Sequence, residues 1–189
     1  MFWHAYVAVL LLAIAARPDR SVRLLGGLLV LPLLSVSALA WASGNPFNGV
    51  IFAALAFTLA TIVRSLPART IRIASGPPLV LGMVFVAFGW VYPHFLATSH
   101  WSGYLIAAPL GLLPCPTLSA IIGLTLIVSG LESVAWSVTL AGAAILYSAI
   151  GVIRLWVAID IVLFAGAATL IAVVVLRCAK NPALMRTIT

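Results

Sequence analysis

The chain has 189 residues, of which 65% are hydrophobic and only 7% charged, and its mean hydropathy is +1.27. Ten Lys and Arg with three Asp and Glu cannot cover the surface of a water-soluble domain of this length, so that class is excluded. The formal net charge of +7 does not point to nucleic acid either, because the basic residues lie in short turns between apolar runs.

A membrane-spanning helix needs roughly 20 apolar residues at about 1.5 Å each. On that count the first segment is 2–16, ended by Arg17, Pro18 and Asp19. It has no positive residue ahead of it, so it reads as a short first spanning helix and not as a cleavable signal. The second segment, 24–42, stops at the turn sequence Ser43, Gly44, Asn45, Pro46. The third, 47–63, runs into a basic stretch holding Arg64, Arg69 and Arg72, with Pro67 among them. The fourth, 73–92, carries Pro77 and Pro78 in its first turns, where missing N–H groups cost least.

Residues 93–117 are the least regular part, with His94, His100, Trp101, Gly103, Pro109, Gly111, Pro114 and Pro116. So many prolines preclude one straight helix, and lipid forbids unpaired backbone. The pattern predicts a partial or re-entrant segment over 103–113, packed against protein, with 117–129 completing a short crossing. Glu132 marks the next turn and reads as a solvated loop acid. The sixth segment is 134–153 and the seventh 159–176; Arg154, Trp156 and Asp160 must lie near an interface between them, since one helix through both would overshoot any bilayer.

These elements predict an all-α polytopic transmembrane helix bundle, a single domain over 1–189, of about seven segments with one broken or re-entrant element. Seven crossings with the N-terminus outside place Arg17, Arg20, Arg23, Arg64, Arg69, Arg72, Arg177, Lys180 and Arg186 in the cytoplasm and Arg154 outside; a six-crossing arrangement would split the basic clusters. A bacterial cytoplasmic membrane is the expected location, with anionic lipid headgroups as counter-charge. Trp3, Trp41, Trp90, Tyr92, Trp101, Tyr104, Trp136 and Trp156 mostly fall at segment ends, as in an aromatic belt, with Trp136 at an inner end. No internal repeat or GxxxG pair is visible, so helix packing is expected to use scattered Ala, Gly and Ser. Cys115 and Cys178 fall toward opposite membrane faces, which argues against a bridge between them.

The outer side gathers the chain's most reactive side chains. His4, His94, His100 and Cys115 are of the ligand types that copper or zinc takes, although their spacing is no standard motif; interfacial histidines bonded to backbone or water are the alternative. In Pro114, Cys115, Pro116 and Thr117, two prolines disfavour helix before each of them. Freed carbonyls, with the Thr117 hydroxyl as a cap, would then either coordinate an ion or polar solute or simply mark a structural break. Cys115 has no partner base nearby in the sequence, so a packed, inert thiol is expected. Arg154 and Asp160 are six residues apart and would pair only across a turn, as a clasp or as a centre for proton or anion handling. No phosphate loop, dinucleotide fingerprint, zinc-protease pair or nucleophile elbow is present, so neither a reaction nor a cofactor is specified.

The run Pro109, Gly111, Leu112, Leu113, Pro114, Cys115, Pro116, Thr117, followed by Gly123, resembles a family of bacterial multi-pass membrane proteins classed as a domain of unknown function. The shared feature is a Gly-x-x-Pro-Cys-Pro-Thr motif entering a late helix, carried here by Gly111, Pro114, Cys115, Pro116 and Thr117. The stretch 148–151 and Trp156 with Asp160 also look similar, while Arg154 and the lack of a proline before Asp160 depart from the pattern. The resemblance implies a small hydrophobic bundle and no particular activity. Three functions stay open: transport or solute handling along the broken element, an accessory or structural subunit with membrane-protein partners, and a metal-handling protein or membrane enzyme.

Overall fold

The computed structural model describes residues 1–180 except 18, 95–99 and 101; Pro18, Trp101 and Arg186 therefore lie outside the described residues. Among those described, the helices are α1 (Phe2–Ala16), α2 (Val22–Ala42), α3 (Pro46–Ser65), α4 (Pro77–Val91), α5 (Ser102–Ala107), α6 (Pro114–Ile127), α7 (Val134–Ala149) and α8 (Ile161–Lys180). The chain is an all-α polytopic membrane protein. Four stretches are long and apolar enough to cross a bilayer: Val22–Ala42, Pro46–Ser65, Val134–Arg154 and Ala158–Lys180. The apolar helices α1, α4 and α6 are shorter, at 15, 15 and 14 residues, or about 22 Å each.

Local chemistry explains the helix starts. Ser21, Asn45 and Ser133 accept hydrogen bonds from the N–H groups of Arg23, Asn48 and Trp136, satisfying donors that lipid would leave bare. Pro46, Pro77 and Pro114 each occupy a first helical position, where the missing N–H costs nothing. Gly76 (φ +66°) supplies the left-handed residue that turns the chain into α4. Pro32, inside α2, cannot bond the carbonyl of Leu28, and the Tyr6 hydroxyl donates to that carbonyl at 2.9 Å.

The core is built around α6, in which every residue from Pro116 to Ile127 is buried. Helix α4 lies against it, α2 packs on α3 and α7 on α8, and α6 also touches α2, α7 and α8. Small residues set the α4–α6 distance: a methyl group at Gly82 would stand 2.8 Å from the Gly123 carbonyl oxygen, and one at Gly89 would stand 2.9 Å from the Ala120 nitrogen. Trp136 is not an interfacial aromatic as expected. It is fully buried, and its indole N–H donates to Thr125 Oγ1 at 3.1 Å.

Hydrogen bonds define two ends of the bundle. At the basic end, Val22 N–H donates to the Arg69 carbonyl, Ile71 N–H to that of Arg20, Ala74 N–H to that of Ile127, and the Arg23 guanidinium to that of Leu66. The link from α6 to α7 is a left-handed turn, with positive φ at Ser129, Gly130, Leu131 and Glu132. It directs Glu132 toward Arg69 (3.5 Å) and Arg72 (3.3 Å) and the Ser129 carbonyl toward Arg177 (2.5 Å). Glu132 is thus a shared ion-pair partner and not the solvated lone acid expected from sequence. The opposite end holds Arg154 and the cluster described next.

One expectation for 93–129 is corrected. The proline motif does not break a helix, because Pro114 and Pro116 occupy the first and third positions of α6, both within the turn whose N–H groups have no intrahelical partner. The helix accordingly begins at Pro114 and not at Thr117. Within 103–113 the segment is partial, as expected: the short helix α5 is unburied, and Ala108 and Leu110 after it are buried against the bundle.

Candidate functional site

Asp160 lies one residue before α8 and is 2% exposed. Its two carboxyl oxygens meet different donors: the Tyr92 hydroxyl at 2.5 Å from Oδ1 and the Cys115 thiol at 3.2 Å from Oδ2. Tyr92 is fully buried and follows the last residue of α4; Pro93 disfavours helical conformation there and ends the helix at that ring. Phe88 and His94 lie edge-on to the Tyr92 ring, with centroids 5.6 and 6.5 Å away. Cys115 is the second residue of α6. The N-termini of α6 and α8 therefore meet at the carboxyl group, and both helix dipoles favour negative charge there.

The wall behind Asp160 is backbone. After α7 the chain makes a turn of π-helix (Ile150–Arg154), and Val157 N–H returns to the Gly151 carbonyl at 2.8 Å. A methyl group at Gly151 would overlap Oδ2 of Asp160, so the carboxyl fits only because this residue is glycine.

The structure joins some of the residues singled out by sequence and separates others. Cys115 and Asp160 come together, and the thiol has a carboxyl partner that the sequence did not reveal. Arg154 and Asp160 do not pair: Arg154 is exposed on the outer side of the turn while Asp160 points inward, and among the described residues Arg154 makes no ion pair. Thr117 is fully buried, but its hydroxyl accepts from Gly111 N–H at 2.8 Å and donates to the Leu113 carbonyl at 2.6 Å. It ties the preceding turn to α6 from inside the helix and does not cap it. Gly111 (φ +70°) has the Trp3 ring where a side chain would stand. A neighbouring void of about 10 Å³ is bordered by Thr117 and otherwise by apolar residues. Thr117→Val is therefore expected to lower stability by about 1–2 kcal/mol in chemical unfolding, through the unpaired Gly111 N–H, while leaving Cys115 labelling unchanged.

The histidines do not form the expected ligand set with Cys115. His4 is buried in α1, with Nε2 bonded to the Trp90 carbonyl at 3.0 Å, its ring edge-on to Trp90, and Nδ1 buried without a hydrogen-bond partner. His94 lies by Tyr92, and His100 lies just before α5. Among the described residues, no three His, Cys, Asp or Glu side chains converge as metal ligands would.

Sequence reasoning missed Tyr92 and Gly151. Tyr92 was read as one more aromatic at a segment end, although its place before Pro93 was a visible signal. Gly151 stood out only through the resemblance over 148–151, since nothing local in the sequence shows that a carboxyl nine residues later folds back onto it.

No family model, curated protein or solved structure matches the chain.

Proposed function

We propose that the protein is a small solute-handling transporter of a bacterial cytoplasmic membrane whose working centre is Tyr92, Asp160 and Cys115. The observation that carries this reading is the buried carboxyl with a different protic donor on each oxygen. A buried ionisable residue in a membrane protein is costly and marks proton or substrate pathways. Here Tyr92 and Cys115 keep their protons and each donates to one carboxyl oxygen, so the proton taken up or released at this centre is that of Asp160 itself.

The topology that goes with it is seven crossings by α1, α2, α3, α4, α6, α7 and α8, with the N-terminus outside. Its support is the common end shared by Arg20, Arg23, Arg69, Arg72 and Arg177, which the positive-inside rule assigns to the cytoplasm. The working centre then faces the outside. Membership of the uncharacterised family with the Gly-x-x-Pro-Cys-Pro-Thr motif belongs to the same reading: Gly111 seats Trp3, Pro114 and Pro116 start α6, Cys115 reaches Asp160, and Thr117 holds the turn.

The test uses proteoliposomes with a trapped pH-sensitive dye and an imposed pH gradient. Wild-type protein is expected to dissipate the gradient faster than empty liposomes, Asp160→Asn to return the rate to that of empty liposomes, and Thr117→Val to keep the wild-type rate. Equal rates for wild type and Asp160→Asn would overturn the proposal.

A further inference from the structure

A cavity of about 1080 Å³ opens at the basic end, between the chain entering α4, the left-handed turn, and the last turns of α8. Arg69, Arg72, Arg177 and Lys180 line it, and Glu132 is its single acid. That carboxylate is already shared by Arg69 and Arg72. Among the described residues, Arg177 and Lys180 form no ion pair, and Arg177 commits Nη1 of its five-donor guanidinium to the Ser129 carbonyl. Ser75, Ser133 and Ser137 add hydroxyl donors. The remaining wall is aliphatic and includes Val173, Val174 and Leu176 of α8.

Leu176 also borders a second, apolar groove of about 540 Å³ along α8 and beside Ile145 of α7, reaching as far as Phe164. From Phe164 to Leu176 the helix rises about 18 Å, close to the roughly 15 Å of hydrocarbon in one leaflet. Ala168 and Ala172 form its floor. A cationic cavity joined at one residue to an apolar trough of leaflet length suits a molecule with an anionic head and an acyl tail. A zwitterionic headgroup would bring a cation that finds only the occupied Glu132.

We propose that this cavity binds a net-anionic phospholipid of the leaflet at the basic end, with its phosphate on Arg72, Arg177 and Lys180 and one acyl chain in the groove along α8. Basic pockets between helices on the cytoplasmic side recognise such headgroups, and each cation near the surface contributes to the affinity. The site is separate from the Tyr92–Asp160–Cys115 centre and does not depend on the transport reading.

The full chain in detergent is titrated with phosphatidic acid, phosphatidylcholine and glycerol 3-phosphate, and bound ligand is read by native mass spectrometry. Phosphatidic acid is expected to bind at least about tenfold more tightly than phosphatidylcholine, and Arg72→Gln with Lys180→Gln to weaken it by about fivefold per cation removed. Both side chains are at the periphery, and Lys180→Gln alone, at a residue with no ion pair among those described, separates the charge effect from loss of the Arg72–Glu132 pair. Ala172→Trp, which fills the groove, is expected to weaken phosphatidic acid and leave glycerol 3-phosphate unchanged. Equal binding of the two lipids, or indifference of phosphatidic acid to the charge variants, overturns the site. Glycerol 3-phosphate binding as tightly as phosphatidic acid overturns the lipid assignment in favour of a free phosphate ester.

Discussion

Gly151→Ala is expected to drive the Asp160 carboxyl out of its buried position and to destabilise the protein by about 3 kcal/mol. The new methyl group would overlap Oδ2, and on its other sides the carboxyl is held by Tyr92 and Cys115. Overpacking of this kind costs about 1–3 kcal/mol, and each buried donor stripped of its acceptor adds a further penalty of similar size. Two readouts separate this outcome from general loosening: chemical unfolding should show the loss, and maleimide labelling of Cys115 should accelerate because the thiol has lost its partner. Asp160→Asn should cost less, about 1 kcal/mol, since the amide oxygen still accepts from Tyr92. Unchanged Cys115 labelling in Gly151→Ala would mean that the carboxyl is not held where the geometry places it.

Gly123→Ala should cost at least about 3 kcal/mol, because its methyl group has nowhere to go. It would stand 2.6 Å from the Val86 backbone nitrogen and closer still to the Gly82 carbonyl oxygen. Neither atom can swing aside as a side-chain tip would; relief requires α4 to separate from α6 along the most tightly packed contact of the bundle. Gly142 is the matched control. Nothing lies within 4 Å of a methyl group there, so Gly142→Ala should be neutral or slightly stabilising through helix propensity. The pair is compared by yield of monodisperse protein and by unfolding in the same detergent. Equal behaviour of the two variants would refute close contact between α4 and α6.

The helices were legible where the sequence supplies both apolar length and punctuation. The first segment, 2–16, coincides with α1, and Ser43, Gly44, Asn45 and Pro46 mark the α2–α3 turn to within a residue. The proline motif was misread because prolines at the first and third positions of a helix look the same, in a linear sequence, as prolines that break one. Asp160 was found because an acid in apolar surroundings stands out, but its partner was wrongly assigned. Arg154 is near in sequence, whereas Tyr92 and Cys115, which meet the carboxyl, lie 68 and 45 residues away. The gathering of basic residues at one end followed from alternation of helix direction. The left-handed turn that brings Glu132 to Arg69 and Arg72 did not, since Ser129, Leu131 and Glu132 carry no preference for positive φ.

The shortness of α4 and α6 has a consequence for the surrounding bilayer. Like α1, these two helices reach about 22 Å, whereas α2, α3 and α8 reach about 30 Å, near the full hydrocarbon thickness. Much of α1 and α4 is exposed, so short and long helices share the outer surface of the bundle. The carboxyl centre lies where the short pair stops at one end, and the basic cavity lies where it stops at the other. Lipids beside α4 meet a hydrophobic mismatch that those beside α2 do not, and they must thin or tilt to match it, at fractions of a kcal/mol per Å. Membrane thickness thereby becomes a variable that acts on both polar sites at once.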